Sequence, residues 1–130
     1  MKPEAALQRA VCDYLRLAHP TVMFMISASG IKLTMGQAKS LKANQNPSRG
    51  WPDLLIMHGN QFHGLFIELK PEGYQLYKRD GTFRKNEHVE NQNRVHQMLR
   101  DRGYKAEFAV GFDQAKSIID KYISLSNEIY

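Results

Sequence analysis

The stretch GWPDLLIM at residues 50–57, followed by LFIELK at residues 65–70, decides the fold that we predict for this chain. Each segment contains a short apolar run, Leu54–Met57 and Leu65–Leu69, of the length expected for a β-strand. The residues His58-Gly59-Asn60 between them favour a turn, so the two strands are expected to pair as a hairpin.

Three charged residues mark one end of this hairpin. Asp53 opens the first strand, and Glu68 and Lys70 close the second. Side chains two residues apart on a strand share a face, so Glu68 and Lys70 project together while Leu69 points the other way. If the strands pair through the turn, Asp53 lies opposite the neighbourhood of Glu68. The pattern predicts two carboxylates and one ammonium group at the same end of the sheet.

These residue types suit the hydrolysis of phosphodiester bonds. Paired carboxylates bind a hard divalent cation such as Mg²⁺ (or Mn²⁺) through oxygen and leave water positions free for a phosphate. The cation stabilises charge on the phosphodiester oxygens and helps to generate hydroxide, and a neighbouring lysine orients water or neutralises charge. A Glu-x-Lys pair alone is more often an exposed salt bridge. The metal site is favoured because Pro52-Asp53 precedes the pair by the length of a hairpin, with apolar strands flanking both.

The periodicities on either side of the hairpin predict one α/β domain with a mixed central sheet. Its order is helix, strand, strand, strand, helix, strand, helix. The remaining elements are an amphipathic helix from Pro3 to Ala18, ended by His19-Pro20; a strand Val22–Ile26, expected to be buried on both faces; a short helix around Gln37–Ala43; a helix capped near Asn86 that stops at Gly103; a strand Ala106–Val110; and a last helix capped by Asp113.

Two polar residues lie on helix faces that should be apolar. Glu4 precedes Leu7 by three residues on the first helix, and Gln92 precedes Val95 by three on the helix that follows Asn86. A carboxylate at a helix start is commonly solvated and interacts with the helix dipole. A metal centre gives both residues a reason to point inward.

The overall composition restricts the class of protein. The 130 residues are enough for one ordinary domain, with 42% hydrophobic residues and a formal net charge of +5. The single cysteine, Cys12, excludes an internal disulfide and a cysteine-based zinc site, and favours a reduced, cytoplasmic setting. The sequence lacks a signal-peptide core and any apolar run of membrane-spanning length. We therefore expect a soluble intracellular protein whose basic charge suits an anionic partner.

The residues at the end of the hairpin also resemble a known family. Gly50-Trp51-Pro52-Asp53 with Glu68-Leu69-Lys70 resembles the PD-(D/E)XK nuclease signature. The inward Glu4 and Gln92 are similar to the pattern of its VRR-NUC (virus-type replication-repair nuclease) branch, in the stand-alone form that looks phage-borne.

This resemblance extends from Glu4 to about Tyr122 and includes the order of the helices and strands. It implies a restriction-endonuclease-like αβββαβ core, with helices on either side of a mixed central sheet. Residues 1–130 would then form one nuclease domain, with basic insertions at about residues 28–50 and 71–87.

The resemblance implies roles for the site residues as well. Asp53 and Glu68 would bind Mg²⁺ or Mn²⁺ together with the backbone carbonyl of Leu69, and Lys70 would be the catalytic lysine. Glu4 would contact the metal from further out or through water, and Gln92 would help to arrange the site.

Stand-alone members of this family are similar to Holliday-junction resolvases and are usually homodimers. We therefore expect a structure-selective DNA endonuclease that acts on branched DNA in replication, recombination or repair, without a membrane partner. Two alternatives stay open. One is an exonuclease or flap nuclease that belongs to a larger machine, and the other is a non-catalytic DNA-binding module with the same fold.

The two basic insertions are candidates for contact with DNA phosphates, although lysine-rich loops are often only solvated surface. The second, in which Arg79-Asp80-Gly81-Thr82 favours a tight turn, is expected to form a hairpin or flap. Neither indicates base-specific readout, so recognition of backbone and shape is expected. The candidate DNA-binding residues are Lys32, Lys39, Lys42 and Arg49 in the first insertion and Lys78, Arg79, Arg84 and Lys85 in the second.

Overall fold

The computed structural model describes residues 2–28 and 31–125. Within these ranges the chain forms four helices and one four-stranded sheet, which makes the fold α/β as predicted. In chain order the elements are α1 (Pro3–Ala18), β1 (Met23–Ile26), α2 (Met35–Ala43), β2 (Leu54–Met57), β3 (Leu65–Lys70), α3 (Glu87–Asp101), β4 (Lys105–Val110) and α4 (Gly111–Leu125).

The sheet is mixed, with the strands in the order β1-β2-β3-β4. β2 pairs with both β1 and β3 in the antiparallel sense, whereas β3 and β4 run parallel and are connected through α3. The β2–β3 ladder sets Leu54 opposite Ile67 and Ile56 opposite Leu65, which confirms the predicted hairpin. The connection between these strands is longer than a tight turn, since it occupies residues 58–64.

Helices cover both faces of the sheet. As a result, every strand except β1 is buried on at least one face. α1 and α4 lie on one face, where Val11, Leu15 and Ile119 pack against Ile56 and Ile67. On the other face α3 supplies an apolar cluster of its own. This second cluster contains Val95, Leu99 and Ala106, with Trp51, Phe66 and Tyr104 packed against it.

A shared carboxylate links α1 to α4 outside the apolar core. Asp120 on α4 accepts hydrogen bonds from the Tyr14 hydroxyl (2.5 Å) and the Lys116 ammonium (3.1 Å), and its Oδ1 lies 2.8 Å from His19 Nε2. Hydrogen bonding to Tyr14, His19 and Lys116 lowers the pKa of Asp120 despite its partial burial, which acts in the opposite direction. The network fixes the end of α1 beside the last helix.

Several helix boundaries agree with the local signals in the sequence. Pro3 occupies the first turn of α1, and the Asn86 side chain caps α3 by accepting a hydrogen bond from the Val89 N–H. Gly103 follows α3 with φ of +92°, and a Cβ there would lie 2.7 Å from the His63 ring. A residue with a side chain would be strained at this position, so the helix ends at a glycine.

Two predictions about the elements are wrong. Asp113 does not cap α4, because β4 runs directly into the helix at Gly111, two residues earlier. The segment Val22–Ile26 was expected to be buried on both faces, but β1 is an edge strand whose Met23 and Met25 are exposed. An unbroken apolar run does not distinguish a central strand from an edge strand, since that depends on the order of the whole sheet.

α2 is attached to the rest of the fold more loosely than the other helices. The sequence predicted it over Gln37–Ala43, and it begins two residues earlier, where Thr34 and Gln37 form a reciprocal capping box. None of its residues is buried. Within residues 2–28 and 31–125, no helix has the length and apolarity needed to cross a bilayer.

The core contains one buried histidine that the predicted site does not use. His96 on α3 is completely buried and packs against Phe108, with 4.4 Å between the ring centroids. Within the part of the chain that the structure describes, neither ring nitrogen has a hydrogen-bond partner. Burial, reinforced by the positive charges of Arg100 and Lys70, lowers the pKa of His96 to about 4.

His96 should therefore make the fold sensitive to acid. In the unfolded chain a histidine titrates near pH 6.5, so above that pH His96 is neutral in both states and its protonation does not reduce the stability of the fold. As the pH falls from 6.5 towards 4, the unfolded chain is protonated at His96 before the folded protein is, and the free energy of unfolding decreases by about 3 kcal/mol. We expect His96→Leu to flatten the dependence of unfolding free energy on pH between 6.5 and 4, measured by urea denaturation. His63→Leu, at an exposed histidine, should leave it unchanged, and equal curves for wild type and His96→Leu would contradict this assignment.

Candidate active site

A cleft of about 200 Å³ opens at the end of β3, where the sheet meets α1 and α3. The segment that leads into β2 also reaches this cleft through Asp53, so α1, β3, α3 and this segment all contribute to its walls. Its lining contains all five residues that the sequence predicts for the site, namely Glu4, Asp53, Glu68, Lys70 and Gln92, together with Leu69 and neighbouring side chains.

The pairing of β2 with β3 brings the two central carboxylates together. When the ladder that sets Leu54 opposite Ile67 is continued by one residue, Asp53 faces Glu68. Both side chains are buried, although carboxylates are rarely buried without partners. Asp53 Oδ2 accepts a hydrogen bond of 2.8 Å from the Leu69 N–H, which fixes its carboxylate against the backbone of β3.

Glu68 is the most strongly perturbed carboxyl group in the cleft. Burial raises the pKa of Glu68 to about 9, together with the charge of Asp53 and a hydrogen bond between the two carboxyl groups. Lys70 opposes this shift from 3.9 Å away. Within the described ranges, Glu68 Oε1 is buried without a hydrogen-bond partner. Positive charge placed between these carboxyl groups would stabilise both in the ionised form.

The lysine is held in place by α3. Lys70 Nζ donates a hydrogen bond of 2.8 Å to Gln92 Oε1, and both side chains are buried. The other end of the Gln92 amide lies 3.2 Å from His88 Nε2, one helical turn earlier. The Lys70 ammonium also lies 5.1 Å from the centre of the Tyr74 ring, within the range of a cation–π contact. These contacts orient the ammonium group towards the carboxylates.

Glu4 completes the set from the first turn of α1. Its side chain is exposed, yet it lines the cleft, and its charge contributes to the raised pKa of Glu68. The sequence placed Glu4 on the inward side of the helix, and the structure places it at the solvent-accessible part of the cleft. Its predicted role as an outer or water-mediated metal contact stays a prediction, as do the roles of the other four residues.

The donor atoms in the cleft fit a hard divalent cation with few protein ligands. Within residues 2–28 and 31–125, no group of three His, Cys, Asp or Glu side chains is arranged to hold a metal ion. Mg²⁺ is commonly bound through only one or two carboxylates, with waters completing its octahedron. Asp53 and Glu68, with the predicted carbonyl ligand of Leu69, satisfy that requirement, and Glu68 Oε1 is an oxygen that needs a partner.

Sequence reasoning underestimated two residues of the cleft. His88 is exposed, but it lines the cleft and contacts Gln92. Its spacing of four residues before Gln92 on one helix was the available signal. Tyr74 also lines the cleft, but it follows β3 in an irregular segment that carries no periodicity. Trp51 packs against the α3 cluster.

The two basic segments reach the cleft through Gly50 and Tyr74, but none of their predicted DNA-binding residues lines it. All eight predicted DNA-binding residues are exposed, and Tyr77 pairs with Phe83 to form the expected hairpin around the turn at Gly81. Arg49 lines a groove beside the start of α3. The exposed residues are Lys32, Lys39, Lys42 and Arg49 before β2, and Lys78, Arg79, Arg84 and Lys85 after β3.

The chain is similar to one solved structure described as "VRR_NUC domain protein". The two share 25% sequence identity over 96% of this chain and 91% of the other, with a TM-score of 0.63. No family model matches the sequence, and no curated protein matches it. The chain therefore has a VRR-NUC domain fold, and its four-stranded mixed sheet with flanking helices is consistent with a restriction-endonuclease-like arrangement.

Gln92 should contribute to stability by satisfying the buried Lys70. In Gln92→Leu the ammonium loses its 2.8 Å acceptor while it remains buried, and a loss of about 1–3 kcal/mol of unfolding free energy is expected. Urea denaturation measures this loss. Gln97→Leu is the matched control, because Gln97 lies on the same helix and its hydrogen bond to Asp101 is exposed. It should cost less than about 0.5 kcal/mol. Similar losses for both variants would argue against this role of Gln92.

Proposed function

We propose that this chain, which has a VRR-NUC domain fold, is a divalent-metal-dependent endonuclease that hydrolyses phosphodiester bonds in DNA. The observation that carries the proposal is the convergence of Asp53, Glu68 and Lys70 at adjoining strand ends in one cleft. The name of the similar solved structure supports a nuclease-type domain. Eight exposed basic residues in the two segments that reach the cleft suit a polyanionic substrate.

The acidic residues bind the cation in this proposal. Asp53 is already fixed by the Leu69 N–H, so its carboxylate is positioned before any ligand binds. Glu68 and the Leu69 carbonyl would complete the protein ligands, and Glu4 would act as an outer or water-mediated contact. The chemistry that the cation supplies when bound is stabilisation of negative charge on the phosphate and activation of water. Mg²⁺ or Mn²⁺ fits these oxygen donors.

Lys70 acts on the phosphate and on the attacking water. Its hydrogen bond to Gln92 restricts an otherwise flexible side chain, so the ammonium is preorganised next to the scissile group. Because the cleft wall is buried there, the positive charge interacts more strongly with the developing negative charge than it would in bulk water. Gln92 is therefore a positioning residue. Lys70 is the catalytic residue that neutralises charge on the phosphate and orients the attacking water.

The substrate in this proposal is branched DNA, such as a four-way junction, processed during replication, recombination or repair. The proposal follows from the resemblance to stand-alone nucleases of this fold, which also leads us to propose a homodimer that cuts two strands symmetrically. Sedimentation equilibrium at micromolar concentration tests the dimer, since a mass near that of one chain would exclude it. Assays on junction, flap, linear and single-stranded DNA distinguish the endonuclease from an exonuclease or a flap nuclease.

Cleavage should depend on the divalent cation and on the central residues of the cleft. In Mg²⁺ or Mn²⁺, Glu68→Gln and Lys70→Ala should each reduce the rate of junction cleavage by about a hundredfold or more, because charge stabilisation at the phosphate is lost. Gel-resolved time courses with labelled DNA measure these rates. Glu107→Gln changes a partly buried glutamate of β4 outside the cleft and should retain activity. If Glu68→Gln cut DNA as fast as wild type, or if EDTA had no effect, the nuclease proposal would fail.

The basic hairpin after β3 should bind DNA through phosphates. The double substitution Arg84→Ala with Lys85→Ala removes two exposed cations and should weaken binding to every DNA sequence equally. The slope of log K against log salt concentration should become shallower by about 2, since each phosphate contact contributes nearly one. Fluorescence anisotropy in the absence of divalent cations measures this slope. Arg102→Ala with Lys121→Ala, at two exposed positions outside both basic segments, is the control; an identical change in both double variants would refute the assignment.

A further inference from the structure

A second cavity lies beside the catalytic cleft and differs from it in chemistry. Its volume is about 330 Å³, and most of its lining comes from the segment that precedes β2, including α2. Ile31, Leu33 and Leu41 contribute apolar surface, and Trp51 contributes an aromatic ring. Two cations, Lys42 and Arg49, line the same cavity.

The cavity adjoins the cleft. Gly50, Trp51 and His88 line both, so a group bound in the cavity lies beside the cleft that contains the carboxylates and Lys70. Gly50 has φ of +91°, and a Cβ there would lie 2.8 Å from a Val95 methyl group. A side chain at this position is therefore disfavoured, and the glycine allows the wall shared by the two spaces to pack closely against α3.

Most of the apolar lining lies outside the hydrophobic core, although Trp51 also packs against the α3 cluster. No residue of α2 is buried, and Leu41 is only partly covered although it faces this cavity. Apolar surface that is half-exposed beside a catalytic cleft is typical of a binding site. The occupant should be flat and apolar, to match Trp51 and the aliphatic side chains, and attached to negative charge, to match Lys42 and Arg49.

We propose that this cavity receives an unpaired nucleobase of the DNA substrate, next to the phosphate that is cut. The inference rests on the proposed nuclease function for its choice of DNA. A base in intact duplex is stacked and paired, so only a base that is unpaired at a branch, flap or end can enter without the cost of unpairing. The base stacks on or beside Trp51, while Lys42 and Arg49 contact the adjoining phosphates. The cavity thereby selects branched or single-stranded DNA without reading its sequence.

The chain provides its own reporter for this interaction, because Trp51 is the only tryptophan. Indole fluorescence is quenched when a base stacks against it. Wild-type protein in EDTA, which prevents cleavage, is titrated with a short single-stranded oligodeoxyadenylate, with a strand of equal length made of abasic residues, and with a fully paired duplex. The adenine strand should quench Trp51 and bind about tenfold more tightly than the abasic strand. The abasic strand and the duplex should cause little quenching.

A pair of matched variants tests whether the cavity itself is responsible. Ala38 lines the cavity from α2, whereas Ala43 on the same helix is exposed and does not. Ala38→Phe fills the space with a benzyl group and should remove both the quenching and the tenfold preference, while affinity for the abasic strand persists. Ala43→Phe should behave as wild type. Circular dichroism checks folding, and the comparison of strands on wild type does not depend on either variant.

The outcomes separate this proposal from the nuclease function on which it rests. Equal quenching by the adenine and abasic strands, or a preference that survives in folded Ala38→Phe, would overturn the base-binding site even if cleavage depends on Glu68. Base-dependent quenching that Ala38→Phe abolishes would support the site even if no cleavage were found. A change in sedimentation mass of Ala38→Phe without any change in DNA binding would instead assign the cavity to contact between two copies of the chain, and would also overturn the proposal.

Discussion

The pairing of β2 with β3 is the constraint on which the site depends. Its register sets Asp53 against the end of β3, where the Leu69 N–H fixes one carboxylate oxygen and Glu68 lies alongside. A shift of one residue would turn Asp53 to the opposite face, because side chains alternate along a strand. Leu54, Ile56, Leu65 and Ile67 oppose such a shift, since it would move their side chains out of the core. The apolar pattern therefore fixes the geometry of the polar cluster.

Burial of these carboxyl groups lowers the stability of the fold but favours the binding of positive charge beside them. Two carboxyl groups share a poorly solvated space, which raises the pKa of Glu68 to about 9 even with Lys70 nearby. The scaffold offsets this cost elsewhere, through the core between α1 and α4 and the network around Asp120. Positive charge bound beside these buried carboxyl groups stabilises their ionised form. This preference for a cation is the physical basis of the proposed metal-dependent reaction.

The elements around the cleft divide into a rigid part and a loosely packed part. β2, β3 and α3 hold Asp53, Glu68, Lys70 and Gln92 through buried contacts. α2 and the hairpin after β3 are mostly exposed and carry the basic residues. Catalytic groups need fixed positions, whereas a surface that accommodates irregular DNA benefits from fewer internal contacts. The cavity between α2 and the cleft lies at the boundary of these two parts, because Trp51 belongs to the packed part and α2 to the exposed part.

The sequence by itself determined the features that follow from local periodicity. Alternation along LFIELK placed Glu68 and Lys70 on one face, hairpin pairing brought Asp53 near them, and Asn86 marked the start of α3. Only the tertiary structure decided that one face of β1 stays uncovered, so that Met23 and Met25 are exposed while Phe24 and Ile26 pack against the core. It also brought Tyr74, His88 and the α2 cavity to the cleft. Periodicity encodes which face of an element is apolar, but contacts between segments far apart in the chain depend on how all the elements pack together.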